Sequence, residues 1–168
     1  KAQINNAQNT SYHLPIKPSP NLPNDTAINL YPSLCFFEGT DVSVGRGTDL
    51  QFQIVGTPNY KLGSYEFTPV SNEGAKHPKH KGKVCYGIDL SQHERLSKIN
   101  LEWLITAYKE QQKTNSETPF FNSFFIKLAG TDKLQKQIES GWTSDQIKSS
   151  WEKDLQKYNQ MRSQYLLY

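Results

Sequence analysis

Cysteine is scarce in this chain, and long apolar runs are missing altogether. Two cysteines in 168 residues cannot build a disulfide framework. Cys35 and Cys85 each sit in an apolar, strand-like run, LCFF and KVCYG, where a thiol serves as a small hydrophobe. A disulfide between them stays open if those strands are neighbours. No apolar stretch nears the roughly 20 residues needed to span a bilayer. Basic residues do not interleave with aromatics in a stripe, and the net charge of +3 is mild, so nucleic acid is not an expected partner. What is present, 35% apolar content over 168 residues, suffices for one domain with a real core and not for two comfortable ones.

The densest cluster of glycine, charge and hydroxyls runs from Phe36 to Pro58, FFEGTDVSVGRGTDLQFQIVGTP. Ser33 to Phe37 reads as a short buried strand that gives way to a loop at Glu38. Gly39, Gly45 and Gly47 permit positive φ angles and close approach of backbone to a ligand, while Thr40, Ser43 and Thr48 supply hydroxyls around Arg46. The planar fork of Arg46 suits a carboxylate or phosphate, and Glu38 can orient it or accept from a sugar hydroxyl. An anionic or polyhydroxyl ligand is therefore one reading of the loop. In the other, Glu38 and Arg46 pair and staple it. A phosphate-binding P-loop fits the spacing less well: five residues rather than four separate Gly39 from Gly45, and Arg46-Gly47 stands where Lys-Ser/Thr is needed.

Five prolines between Leu14 and Pro32 oppose helix and favour an extended path, read as an ordered strap whose Leu14, Ile16, Leu22, Ile28 and Leu30 pack on a surface. Leu50 to Val55, Tyr65 to Val70 and Lys83 to Leu90 have the composition of strands. Between the last two, Glu73 to Lys83 is a basic loop with His77 and His80. Pro78 separates these histidines and no acid or cysteine completes a ligand set, so a solvated loop is expected and no metal. A core-facing helix runs from Ser97 or Asn100 to about Lys113 through Leu101, Leu104, Ile105 and Tyr108. The aromatic run Pro119 to Leu128 is read as core. A short helix over Thr131 to Ser140 ends at Gly141. Thr143 to Gln146 forms a capping box for a terminal helix whose Ile147, Trp151, Leu155 and Tyr158 close the domain. The expected fold is α+β: a small, mostly antiparallel sheet, about three packing helices and one long Gly-rich functional loop.

The string Phe37 to Thr40, then Ser43 to Thr48, then Phe52 and the Gly56-Thr57-Pro58 turn, closely resembles the C-terminal domain of the family once called only DUF1343. PSPNLP at 18–23, LAGT at 128–131, the stretch from Ile138 to Trp151 and the closing YLLY at 165–168 agree in order. Asp41 departs from the asparagine usual there. Characterised members are exo-acting β-N-acetylmuramidases. The resemblance implies a missing N-terminal Rossmann-like domain that carries the main catalytic acids, with residues 1–34 as the strap leading from it and 35–168 as the C-terminal domain. The polar opening from Lys1 to Ser11 fits a piece of a longer protein.

The implied partners are that N-terminal domain and a muramic-acid-containing glycan, with substrate-binding residues Glu38, Gly39, Thr40, Ser43, Gly45, Arg46, Gly47 and Thr48. No catalytic residue, metal or cofactor is assigned to this chain. The longer parent is expected to be a glycoside hydrolase of the periplasm or cell surface, and this piece alone to be inactive, since hydrolysis needs two carboxyl groups flanking the bond. The alternative is a non-catalytic module that binds cell-wall glycan or another protein.

Overall fold

The computed structural model describes residues 13–166. The opening Lys1 to Ser11 and the last two residues of the YLLY motif lie outside them. Helix α1 (Asp25–Leu34) begins where Asn24 accepts a hydrogen bond from the Ala27 N–H, and a 3₁₀ turn (Cys35–Gly39) follows it directly. Strands β1 (Ile54–Thr57), β2 (Tyr65–Phe67) and β3 (Cys85–Asp89) form one antiparallel sheet in the order β1-β3-β2. Gly56 of β1 stands opposite Gly87, and Phe67 of β2 opposite Cys85. Helices α2 (Glu102–Gln112), α3 (Phe125–Ala129), α4 (Lys133–Glu139) and α5 (Ser144–Ser163) follow. This is the α+β architecture expected, with five helices among the described residues.

Two local expectations are corrected. Residues 25–34 are helical rather than an extended strap. The helix starts after Pro23 behind a strong asparagine cap, and Pro32 falls in its last turn, where a missing N–H removes only one late hydrogen bond. Ala27, Leu30 and Leu34 then recur at helical spacing and are all buried. For the same reason Ser33 to Phe37 is not a strand. Its apolar residues end α1 and enter the 3₁₀ turn, a case where a short apolar run does not reveal its period. Cys35 accordingly lies in that turn rather than in a strand, and both cysteines are free thiols. Burial pushes the Cys85 thiol up to about 11.

The main core joins Leu30, Leu34 and Phe37 to Phe52, Val55, Leu101, Leu104, Phe125 and Ile147. Ile54, Phe67 and Cys85 make a smaller cluster. Neighbours Ile54 and Val55 thus serve different clusters, as alternation along a strand requires. The aromatic run is core in its Phe120, Phe121 and Phe125, whose adjacent rings lie 4.8 and 4.3 Å apart. At the start of α2, the capping residue Leu101 and the helical Leu104 and Ile105 are buried as expected, and Asn100 accepts from the Glu102 N–H at 2.8 Å. The capping box of Thr143 and Gln146 forms in full. Helix α5 does not close the domain along its whole length, however. Ile147 is buried and Trp151 packs against the core, whereas Leu155, Tyr158 and Met161 are 51%, 54% and 53% exposed.

Candidate functional site

Phe37 anchors the start of the loop in the core, and the 3₁₀ turn swings Glu38 outward. Gly39 is required by contact: a Cβ there would stand 2.6 Å from the Cα of Phe125. Thr40 bridges to Phe121, and Ser43 exchanges backbone hydrogen bonds of 2.8 and 3.0 Å with Gly56, which ties the loop to β1. Gly45 and Gly47, at φ 75° and 83°, turn the chain so that Arg46 projects back toward Glu38. Val44 then receives the Phe52 N–H at 2.7 Å, with Phe52 itself at φ 53°. That left-handed residue consumes the start of the strand expected from Leu50, so β1 begins only at Ile54.

The two charged side chains meet. A terminal guanidinium nitrogen of Arg46 lies 2.6 Å from Oε1 of Glu38, with side chains 39% and 22% exposed. The face of Phe52 supports the guanidinium carbon at 5.4 Å, and Tyr31 of α1 meets Phe52 edge-on at 4.9 Å. The Nε of Arg46 is buried and lacks an acceptor. Glu38, Arg46, Val42, Ser43, Val44 and Lys79 line a cavity of about 110 Å³. Burial, followed by the charges of Cys35 and Glu38, raises the pKa of the half-exposed Tyr31 phenol.

The hydroxyls expected around Arg46 are used within the loop. Thr40 donates to the Phe37 carbonyl at 2.9 Å, Thr48 donates to that of Gly45 at 2.7 Å, and Ser43 accepts from the Gly45 N–H at 3.2 Å. Of the eight residues singled out in the sequence, Glu38, Ser43 and Arg46 share the cavity. Gly39 packs on Phe125, Thr40 bridges to Phe121 and Gly45 packs on Ile54, while Gly47 and Thr48 line a separate depression beside β2. Asp41 turns away from Arg46. Its carboxylate accepts from Asn59 at 2.9 Å, Tyr60 at 3.2 Å and Thr57 at 3.4 Å, and burial followed by the Asp41 charge pushes the Tyr60 phenol far above its ordinary range.

The basic loop is not simply solvated, which is a further correction. Lys79 Nζ donates to the carbonyls of Phe37, Thr40 and Val42, and Nε2–H of His80 donates to that of Asp41. Burial lowers the pKa of both groups. Among the described residues no three His, Cys, Asp or Glu side chains gather as metal ligands. Lys79 carries no distinguishing signal in KHPKHKGK, where it looks like any exposed lysine. Tyr31 was hidden inside the presumed strap.

Comparison with known proteins matches this geometry to one family. The family described as exo-β-N-acetylmuramidase NamZ, C-terminal, covers residues 29–168. Peptidoglycan β-N-acetylmuramidase NamZ of Bacillus subtilis is 31% identical over 166 residues, which is 91% of this chain and 40% of that protein. A DUF1343 family protein of Bacteroides fragilis, known from a crystal structure, superposes with a TM-score of 0.85 at 48% identity, over 95% of this chain and 46% of its own. The chain thus spans less than half the length of each of these relatives. It belongs to the family of NamZ exo-β-N-acetylmuramidase C-terminal domains.

Proposed function

We propose that this chain serves as the C-terminal domain of a peptidoglycan-processing exo-β-N-acetylmuramidase, and that its Glu38–Arg46 pair reads the lactyl carboxylate of a terminal N-acetylmuramic acid. The observation that carries this is the state of Arg46: a guanidinium fixed at one end by Glu38 and from below by Phe52, with a buried Nε that has no acceptor, beside a small cavity. A space of about 110 Å³ beside the guanidinium admits a carboxylate-sized group. The sugar then lies outside the cavity, against a surface supplied by the N-terminal domain. Glu38 acts as the brace of Arg46 and accepts from a sugar hydroxyl through its free oxygen.

The catalytic pair is assigned to the N-terminal domain. Glycoside hydrolysis needs two carboxyl groups roughly 5 to 9.5 Å apart around the bond. Within the loop, Glu38 is held by Arg46, and Asp41 is taken up by Asn59, Tyr60 and Thr57. The exposed apolar stripe of α5 supports docking on the rest of a longer polypeptide, and a cell-wall substrate favours the periplasm or cell surface for the parent. The test is release of chromophore from a chromogenic β-N-acetylmuramide by the full-length protein, with none from residues 1–168 alone. Turnover by the isolated chain would overturn this division of labour.

A further inference from the structure

The segment from Phe37 to Val44 runs out of the 3₁₀ turn toward β1, with backbone bonds from Thr40, Ser43 and Val44 to other parts of the chain. Four of its carbonyls, those of Phe37, Thr40, Asp41 and Val42, are nevertheless gathered by two consecutive side chains from 40 residues downstream. Lys79 Nζ lies 3.3 Å from the Phe37 oxygen and 3.1 Å from that of Val42, and it also donates to Thr40, while His80 donates to Asp41. Deduced from this convergence, we propose that Lys79 is the positioning residue of the Glu38–Arg46 subsite: its ammonium holds three carbonyls at once and fixes the loop from which both side chains reach the cavity. This rests on the carboxylate-reading function proposed above.

The stoichiometry is specific. An ammonium has three N–H donors on one atom, and three acceptors surround it. No N–H is left for a ligand, so Lys79 acts through the loop although it lines the same cavity. A planar guanidinium cannot present three N–H groups from one atom, and an apolar chain offers the carbonyls nothing. The holder is itself held. His80 adopts φ 59°, a costly conformation for a non-glycine residue, which aims it and Lys79 at the same loop. Gly82 N–H bonds to Pro69 O, and Val70 N–H bonds to Gly47 O, each at 2.8 Å. A Cβ on Gly47 would meet Val70 O at 2.5 Å and Pro78 Cγ at 2.6 Å. The loop is thus gripped on both sides of Arg46.

The test uses the full-length protein with Lys79→Ala, measuring binding of N-acetylmuramic acid and N-acetylglucosamine, with and without ethylammonium chloride. Affinity for N-acetylmuramic acid should fall on the order of tenfold, as expected when a charged donor is withdrawn. Ethylammonium should restore it, and tetramethylammonium, a cation with no N–H, should not. Unchanged affinity, or a loss that the primary amine does not repair, overturns the proposal. A variant that fails to fold is covered by a second measurement on the wild type: ¹⁵N resonances of the lysine ammonium groups. Protected Lys79 protons support the proposal, and exchange as fast as at exposed Lys113 overturns it. If the wild type does not favour N-acetylmuramic acid, the carboxylate assignment fails, and the ammonium measurement still judges the grip of Lys79 on the loop.

Discussion

Replacing Arg46 by lysine keeps the charge and removes the fork, which separates a ligand reader from a loop staple. In the folded chain Arg46 makes a 2.6 Å ion pair with Glu38 and rests 5.4 Å above Phe52. Both contacts are partly open to water, so each contributes about 1 kcal/mol or less, and a lysine retains part of each. The expected stability loss is therefore below about 1 kcal/mol, a fall in Tm of no more than about 2–4 °C at this size. A ligand carboxylate would lose a charge-assisted hydrogen bond of about 1.5–3 kcal/mol, or about 10- to 150-fold in affinity. Titration calorimetry on the full-length variant should show that loss for N-acetylmuramic acid. N-acetylglucosamine, which lacks the lactyl group, should change less than about twofold. Equal losses on the two sugars, accompanied by a large drop in Tm, would refute the carboxylate role and leave Arg46 as a staple.

Four further outcomes follow from the packing and the titrating groups. Gly39→Ala should destabilise by about 1–3 kcal/mol in urea denaturation, because its Cβ would lie 2.6 Å from backbone of α3 that cannot yield. Phe52→Gly relieves the left-handed strain but deletes a buried ring, so a net loss of about 2–4 kcal/mol is expected from the same assay. Burial holds the His80 pKa below 6.5, so the unfolded chain binds the extra proton first as pH falls. Stability from this group is constant above the unfolded value and declines as pH drops through it toward the folded one. His80→Asn, which tolerates positive φ, should flatten that decline in melts across pH 5 to 7. Along α5, Ile147→Ala should cost about 2–4 kcal/mol, while Leu155→Gln should leave the melting of this chain within about 0.5 kcal/mol.

The sequence disclosed the elements whose signals are local. The capping box of α5, the spacing of Leu101, Leu104 and Ile105, and the glycines around Arg46 each act within a few residues, and each is found in place. Helix α1 was obscured because four prolines before Asn24 coloured the reading of the stretch that follows. The pairing of Glu38 with Arg46 was legible as an option, since both lie in one short loop. The support beneath it was not. Phe52 and Tyr31 come together only through folding, and Lys79 reaches carbonyls about 40 residues away. Backbone acceptors leave no mark on composition, so a lysine that serves them looks like a surface lysine. The same blindness made Leu155 and Tyr158 read as core, because helical periodicity reports an apolar face and not what covers it.

Helix α5 divides into two thermodynamic regimes at Trp151. Nucleation is the costly step in forming a helix, and here the capped first turns, fixed by buried Ile147, supply the nucleus. Beyond them each residue adds only a propagation step, with one hydrogen bond set against one ordered backbone unit. Such a segment unwinds from its C-terminal side as temperature rises, without waiting for the core. Far-ultraviolet ellipticity of the chain should therefore slope steadily before the cooperative transition, and the slope belongs to the residues after Trp151. Whatever the exposed stripe rests against in a longer protein would convert that slope into part of the main transition.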